Sequence, residues 1–229
     1  MVVSQVYSMQ SLEVAKAVSE AGVDHVGYMV SLEPKPFALG TELARQVSRA
    51  VRPNSKSVII PLSHRPEEIV EIARRSEPDL VQVASDEGLI DEGTFAGLSK
   101  ELSSLGFKVM KVIAVGGGSE TEIAGRYAPL VDIVMLDSFG APPSELLRGY
   151  IGGTGKTHDW SISAEIVKHV GKPVILGGGL SIFNVADAIA KVRPWGVDAA
   201  TSLNLAGQRG KKDITKVKEF VRLAKQFRY

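Results

Sequence analysis

Glycine, threonine and lysine crowd into one short stretch, GGTGKT at residues 152–157, whose closely spaced backbone N–H groups could bind an anion. A nucleotide-binding P-loop needs a glycine, four further residues and then Gly-Lys-Ser/Thr, directly after a strand. Counting back from Gly155 places Tyr150 where the first glycine belongs, and a long loop precedes the stretch, so this motif is excluded. A flexible linker is disfavoured because Trp160 follows closely, and tryptophan usually packs. The stretch therefore predicts a cradle for some other phosphate.

Two further turns of small residues are expected at the same rim of the fold. LGGGL (176–180) ends one apolar strand, and AATS (199–202) ends the next. Glycine turns let backbone N–H groups approach an anion closely. Each turn alone would be an ordinary tight turn, but the three together predict a phosphate site. Its residues are Gly153, Thr154, Gly155, Gly178, Gly179, Thr201 and Ser202.

Candidates for acid–base chemistry stand at the ends of other predicted strands. Asp137 closes the apolar run VDIVMLD, where it could donate a proton or, alternatively, brace a loop. Tyr7 could transfer a proton or stack on a ligand, and plain packing is an equal alternative. Asp86 could supply a base, although a solvated loop or a helix cap is favoured there. Three other aspartates near strand ends are interpreted as loop-bracing residues: Asp24, Asp132 and Asp198.

Eight β-branched runs alternate with eight amphipathic stretches, which is the pattern of repeated parallel βαβ units. Eight units in 229 residues favour an α/β fold, a single-domain (β/α)8 TIM barrel over residues 1–229, with a doubly wound open sheet as the alternative. The predicted strands are 2–7, 23–30, 56–63, 79–85, 108–115, 131–137, 173–178 and 196–201. The predicted helices are 11–22, 40–51, 66–76, 91–106, 119–128, 161–171, 181–193 and 212–227. Functional residues of such barrels lie at the carboxyl ends of the strands, where the turns, Asp137 and Tyr7 all fall.

Charge and composition exclude several kinds of partner and site. The 27 basic and 26 acidic residues nearly cancel, so neither nucleic acid nor a membrane is an expected partner. The chain has no cysteine, which excludes disulfides, thiolate metal sites and a cysteine nucleophile. His25, His64 and His169 show no ligand spacing, so no metal is predicted. No secretory signal and no apolar run of about 18 residues is found, and a cytoplasmic location is expected.

The stretches MLDSF, GGTGKTHDWS, LGGGL and VRPWGVDAATS closely resemble phosphoribosylanthranilate isomerase, a (β/α)8-barrel enzyme family of tryptophan biosynthesis. The resemblance runs nearly end to end and is most specific in residues 131–201. The family converts a phosphorylated ribosylamine into an amino-ketose, using an acid that opens the sugar ring and a base that removes the C2 proton. The resemblance implies that Asp137 is the acid, that the glycine turns and Thr201 hold the phosphate, and that neither a metal nor an organic cofactor is needed.

Several positions depart from the family pattern. Tyr7 stands where the family has a cysteine base, and a phenol of pKa about 10 is a poor base unless its surroundings perturb it. Phe37 aligns with the arginine that binds the anthranilate carboxylate, and the nearby Lys35 cannot make the same bidentate contact. The family run Gln-Leu-His-Gly becomes QVAS (82–85), which keeps Gln82 as a substrate-binding candidate and loses the histidine.

The residues that bind the phosphate and the residue that acts as the acid are thus retained, whereas the base and the residues that bind the anthranilate group are changed. The first hypothesis is an isomerase-family enzyme that acts on a different small phosphorylated sugar or sugar-amine by acid–base proton transfer, as an isomerase, epimerase or lyase. One alternative is a phosphoribosylanthranilate isomerase whose base has moved to Tyr7 or Asp86. Another is an inactive barrel that binds a phosphorylated metabolite. The expected partner is a small phosphorylated substrate, and the chain is expected to be a monomer or homodimer.

Overall fold

A computed structural model describes residues 1–140, 148–208 and 210–228, and in these ranges nine parallel strands alternate with eight α-helices. The strands are β1 (Val3–Val6), β2 (His25–Ser31), β3 (Ala38–Gly40), β4 (Lys56–Pro61), β5 (Leu80–Val83), β6 (Lys108–Val115), β7 (Ile133–Ser138), β8 (Val174–Leu176) and β9 (Gly196–Ala199). The helices are α1 (Leu12–Glu20), α2 (Thr41–Val51), α3 (Pro66–Ser76), α4 (Glu92–Ser104), α5 (Glu120–Tyr127), α6 (Trp160–His169), α7 (Val185–Val192) and α8 (Ile214–Lys225). None of these helices is long and apolar enough to cross a lipid bilayer.

Eight of the strands close into a barrel, so the predicted (β/α)8 fold is confirmed and the open sheet is wrong. Neighbouring strands follow the chain order, and β9 closes the barrel by pairing in parallel with β1, which sets Val3 opposite Gly196 and Val6 opposite Ala199. β3 is the additional strand, and it pairs with the outer end of β2, where Met29 lies opposite Ala38. The sequence did not predict β3, because three residues are too few to show an alternating pattern.

Two separate apolar layers stabilise the barrel. One lies between the outer face of the strands and the helices, and a smaller one fills the barrel interior. Because successive side chains of a strand point to opposite faces, one strand serves both layers. On β7, Val134 and Leu136 belong to the outer layer, whereas Ile133 and Met135 belong to the interior. The same alternation directs Asp137 into the barrel mouth.

Short polar side chains determine where the helices begin. Ser11 and Asp91 cap α1 and α4 by accepting backbone N–H groups of the first turn. The predicted start of α7 at residue 181 is wrong, because α7 begins at Val185. The Ser181 N–H instead donates to Asn184 Oδ1 at 2.7 Å, which closes a separate turn before the helix. The glycines that precede this turn therefore do not open directly into a helix.

Candidate active site

A cavity of about 110 Å³ lies in the barrel mouth at the carboxyl ends of the strands. Its lining combines apolar and polar side chains. The apolar ones include Met29, Ile60, Ala84, Met135 and Ile151. The polar ones include Tyr7, Gln82, Asp137, Asp198 and Thr201. The structure thus brings together five of the predicted site residues, Tyr7, Gln82, Asp137, Gly153 and Thr201, and adds Asp198, which the sequence analysis did not place in the site.

Asp137 lies on β7 and faces this cavity. Its Oδ1 accepts the backbone N–H of Ser138 at 2.7 Å, and the N–H of Gly153 also donates to this carboxyl group. Burial raises the pKa of Asp137 to about 6, in spite of the opposing effect of these two hydrogen bonds. A carboxyl group with this pKa is partly protonated near neutral pH and can donate a proton there.

The loop after β7 packs directly on Asp137. Gly152 has a φ of +95°, and a Cβ at this position would lie 2.1 Å from Asp137 Oδ2. Only glycine meets both constraints without strain. The same loop is hydrogen-bonded across the barrel mouth to the end of β5, where the Ile151 N–H donates to the Ala84 carbonyl at 2.7 Å. The loop therefore positions the carboxyl group of Asp137 and covers the cavity.

Tyr7 follows β1, but its phenol is engaged inside the barrel. The ring packs against Gly27, where a Cβ would come within 2.5 Å of ring carbons. Its hydroxyl donates to Gln82 Oε1 at 2.8 Å. Burial raises the pKa of Tyr7 well above its ordinary value, and the negative charge of Asp198 adds to the rise. The phenol therefore stays protonated, which argues against Tyr7 as a base.

Asp86, the other predicted base, does not line the cavity that contains Asp137. It lines an adjacent cavity of about 420 Å³, together with Glu87 and Lys111. Its backbone N–H donates to the Gly149 carbonyl at 3.0 Å, which ties it to the far end of the loop after β7. The geometry therefore separates Asp86 from Asp137 and offers no support for its role as the base.

The three predicted phosphate-binding turns meet in space. A Cβ on Gly179 would lie 2.7 Å from the backbone of Lys156, so the turns after β7 and β8 touch through their main chains. Thr201 Oγ1 lies 4.0 Å from the position a Gly155 Cβ would take, and the Ser202 hydroxyl donates to the Leu180 carbonyl at 2.6 Å. The remaining turn residues, Gly153, Thr154 and Gly178, lie in the same contact region. An open cavity of about 460 Å³ adjoins Gly153–Gly155 and Thr201.

Asp198 was interpreted from the sequence as a loop-bracing residue, and this interpretation is wrong. It lies on β9 inside the barrel, where its Oδ1 is buried and has no hydrogen-bond partner among the described residues. Burial and the negative charge of Asp137 together raise the pKa of Asp198 to about 8, against the opposing effects of Gln5 and Lys212. The sequence carried one sign of this inward position: the residues two positions away on either side, Gly196 and Ala200, are small and lie on the same face of the strand as Asp198.

Asp24 and Asp132 do brace strand starts, as the sequence indicated. Asp24 accepts the backbone N–H of Ser4 at 2.7 Å, and Asp132 accepts that of Val109 at 2.9 Å. Both also pair with a lysine, Asp24 with Lys225 and Asp132 with Lys108. Both contacts lie at the amino ends of the strands, at the opposite end of the barrel from the candidate site.

Basic and aromatic side chains gather at the ends of β4 and β5, and the family's histidine is missing from the end of β5. Lys35 Nζ donates to the Leu62 carbonyl at 2.9 Å. His64 Nδ1 lies 2.9 Å from Ser85 Oγ, and its ring centroid lies 4.4 Å from that of Tyr150. His64 therefore reaches the end of β5 from the preceding loop. Sequence alignment could not show this, because the contact joins two different βα loops.

The histidines do not form a metal centre. His158 lies between Ser138 Oγ at 3.1 Å and Ser163 Oγ at 2.7 Å, so it links β7 to α6. Burial lowers the pKa of His158, which favours the neutral ring. Over the ranges that the structure describes, no three His, Asp or Glu side chains are placed to hold a metal ion.

The sequence matches a known enzyme family over nearly its whole length. The model of the family described as N-(5'-phosphoribosyl)anthranilate (PRA) isomerase matches residues 5–223. An N-(5'-phosphoribosyl)anthranilate isomerase of Methanocella arvoryzae is 36% identical over 209 residues, which cover 91% of each chain. An enzyme of the same name from Halobacterium salinarum is 34% identical over 90% of this chain and 87% of its own.

Solved structures agree with the sequence match. The phosphoribosyl anthranilate isomerase of Thermotoga maritima superposes with a TM-score of 0.78 at 27% identity, covering 99% of this chain and 100% of that one. A phosphoribosyl anthranilate isomerase in complex with reduced 1-(o-carboxyphenylamino)-1-deoxyribulose 5-phosphate gives a TM-score of 0.76 at 26% identity, with the same coverage. Because the family model, the relatives and the barrel all coincide over nearly the full chain, this protein belongs to the phosphoribosylanthranilate isomerase family.

Proposed function

We propose that the chain catalyses the isomerisation of N-(5'-phosphoribosyl)anthranilate in tryptophan biosynthesis. The observation that carries this proposal is the position of Asp137, which lies in one barrel mouth with three converging turns of small residues. The relatives that bear this activity in their names cover about nine-tenths of the chain. They favour a genuine isomerase over the first hypothesis of a diverged substrate.

The proposed reaction needs a proton donor beside the sugar and an anchor for its phosphate. Protonation of the ring oxygen breaks the C1–O bond, and loss of the C2 proton then gives the enol-amine that becomes the amino-ketose. Asp137 has the raised pKa that a carboxyl donor needs near neutral pH. The turns at Gly153–Gly155, Gly178–Gly179 and Thr201–Ser202 offer backbone N–H groups to the phosphate. Binding at this remote group holds the ribose in place for proton transfer.

The aromatic end of the substrate has a matching surface. Met29, Ile60 and Ala84 supply an apolar wall for the anthranilate ring. No arginine stands at residue 37, and the nearby cation is Lys35, whose Nζ donates to the Leu62 carbonyl at 2.9 Å. Lys35 would then face the anthranilate carboxylate as a point charge, which gives less geometric specificity than an arginine fork.

A second candidate is an isomerase acting on another phosphorylated sugar-amine. The observation that favours it is Phe37, whose side chain replaces a cation at this position and is 38% exposed. Both candidates use Asp137 and the phosphate turns, and they differ only at the aromatic end. A comparison of substrates with and without the carboxylate therefore separates them.

The test is turnover of freshly prepared phosphoribosylanthranilate by the purified protein, followed by proton NMR. Isomerisation removes the anomeric C1 signal and creates a new CH2 signal. We expect turnover by the wild type and little by Asp137→Asn. Turnover that appears only in the double variant Tyr7→Cys with Phe37→Arg would show that the native substrate differs. Ligand binding without turnover on any sugar-amine would indicate an inactive binding barrel.

The same preparation addresses assembly. One solved relative, from Thermotoga maritima at 26% identity, is described as a dimeric enzyme from which monomers were generated. Monomer and homodimer are the two states proposed for this chain as well. Sedimentation velocity across a hundredfold range of protein concentration distinguishes them.

A further inference from the structure

The proposed function, on which this inference rests, requires two proton-transfer groups, and the residue at the usual place of the second cannot serve. Tyr7 donates its hydroxyl to Gln82 Oε1 at 2.8 Å and is buried. Asp86 lines a different cavity. One more carboxyl group in the barrel mouth is left without a task, and it belongs to Asp198.

Asp198 has the geometry of a group that acts on a ligand. It lines the same cavity as Asp137, from β9, with only β8 between the two strands. Its Oδ1 is buried and has no hydrogen-bond partner in the part of the chain that the structure describes. An unsatisfied buried carboxyl oxygen is costly for stability, so an atom of this kind is usually explained by a ligand or a catalytic role.

The charged and polar groups around Asp198 come from three neighbouring elements. Asp137 faces it from β7, and Gln5 on β1 makes a side-chain hydrogen bond to its carboxyl group. Tyr7 follows β1, and Lys212 approaches from the segment before α8. Lys212 does not neutralise it by direct contact, because its Nζ donates to the Ala200 carbonyl at 2.7 Å and to Asn204 Oδ1 at 2.9 Å. Asp198 is therefore coupled mainly to Asp137.

We propose that Asp198 is the second proton-transfer group of the site, that its charge is coupled to that of Asp137 across the cavity, and that it replaces the cysteine base found in the family. In the reaction, Asp137 gives its proton to the ring oxygen as the C1–O bond breaks. Asp198 then takes the C2 proton, and the electrons of that C–H bond form the C1–C2 double bond. The pair holds one proton before and after these two transfers, so formation of the enol-amine needs no further acid or base.

The pKa values agree with this coupling. Burial raises the pKa of Asp137 to about 6 and, with the charge of Asp137, that of Asp198 to about 8. Between these values the pair carries a single proton. The N–H groups of Ser138 and Gly153 favour ionised Asp137, so near neutral pH Asp198 carries the proton in most molecules of the free protein and Asp137 carries it in a minority. A ring oxygen that accepts a hydrogen bond from Asp137 stabilises the protonated form of that carboxyl group.

The first test is the pH profile of kcat/KM for phosphoribosylanthranilate. Below about pH 6 both carboxyl groups are protonated and no base remains, whereas above about pH 8 both are ionised and no acid remains. We expect a bell-shaped profile between these limits. Asp198→Asn should lower kcat by about 10²–10⁴ and abolish the bell, because one general base is worth about that factor. Asp198→Glu should recover part of the rate.

Two control variants separate this role from structural ones. Asp24→Asn removes a carboxylate at the opposite end of the barrel and should lower stability while leaving the bell-shaped profile intact. Tyr7→Phe removes only the hydrogen bond to Gln82 and should cost less than tenfold in kcat. If the wild type is active and Asp198→Asn keeps a kcat within threefold and the same pH profile, that result overturns the role of Asp198 and leaves the proposed function standing.

The second test works without any substrate. Carbon-13 NMR of aspartate-labelled protein follows the titration of Asp198, whose resonance is assigned by its loss in Asp198→Asn. We expect Asp198 to titrate well above the ordinary aspartate range, and its pKa to fall when Asp137 is changed to Asn. Titration near the ordinary pKa of about 3.9, independent of Asp137, overturns the proposal even if the folded variants show no turnover. Coupled titration in a protein that fails to convert phosphoribosylanthranilate supports the pair and rejects the proposed substrate.

Discussion

The contact between Gly152 and Asp137 makes a sharp prediction for Gly152→Ala. A Cβ at residue 152 would lie 2.1 Å from Asp137 Oδ2 and 2.8 Å from its Cγ, whereas ordinary contacts are about 3.4 Å or longer. The carboxyl group must therefore move by about 1 Å. A displacement of this size at a reacting group costs about 10²-fold in rate. We expect kcat for phosphoribosylanthranilate to fall by about 10²-fold.

The same substitution has a separate cost in stability. The φ of +95° disfavours any residue with a Cβ by about 1–2 kcal/mol. For a chain of this size, that loss corresponds to a fall in Tm of about 2–8 °C. Gly149→Ala is the matched control, because Gly149 has a φ of +79° in the same loop and the only close contact of its Cβ would be with the end of the Leu89 side chain, at 2.1 Å. Both variants should lose stability, but Gly149→Ala should lose less than tenfold in kcat.

The assay compares kcat by NMR and Tm by differential scanning calorimetry for the wild type and the two variants. A Gly152→Ala protein that retains kcat within threefold of the wild type would show that the loop does not set the position of Asp137. Equal losses of kcat in both variants would attribute the effect to general distortion of the loop. Either result would refute the argument from the Gly152 contact.

Three further predictions follow from contacts already described. Asp137→Asn should lower kcat by about 10²–10⁴ while leaving the affinity for inorganic phosphate within threefold in calorimetric titration, because only the proton is lost. Gly179→Ala should raise KM about tenfold with a smaller effect on kcat, since its Cβ would lie 2.7 Å from the backbone of Lys156 and push the phosphate turns apart. Burial opposes ionisation of Asp24, but hydrogen bonds from Lys225 and Ser4 outweigh it and lower the pKa of Asp24. Asp24 therefore stabilises the folded state fully above its unfolded pKa of about 3.9, and this contribution is lost as the pH falls through the lower folded pKa. In denaturant titrations, the free energy of unfolding of Asp24→Asn should therefore fall less steeply at acid pH than that of the wild type.

The architecture could be predicted because it repeats. Each βα unit carries its own apolar pattern, and eight such units in one chain leave few arrangements other than a closed barrel. The boundaries were less predictable where a side chain closes a turn, as Asn184 does before α7. β3 was not predicted because it forms by pairing with β2, and three residues are too few to show the alternating pattern of a strand.

The candidate site was predictable only where its signal is local. Glycine turns such as 176–180 carry their signal in consecutive residues, and their meeting in space follows from the barrel. The environment of Asp198 depends on β7 and β1 together, so its burial and its coupling to Asp137 could not be read from its own strand. The engagement of Tyr7 by Gln82 likewise joins two distant strands.

The hydrogen bond that holds the loop after β7 to β5 has a consequence for the speed of ligand capture. The cavity beneath the loop measures about 110 Å³, less than the roughly 300–1,000 Å³ of typical ligand pockets. A ligand that fills the site must therefore widen this cavity, and we expect the hydrogen bond from the Ile151 N–H to the Ala84 carbonyl to break as residues 151–153 move outward. Loop openings of this kind occur in microseconds to milliseconds. In stopped-flow mixing, the observed rate constant for ligand binding should rise with ligand concentration and then reach a plateau. The rate of this opening, rather than diffusion, would then limit ligand binding at high concentration.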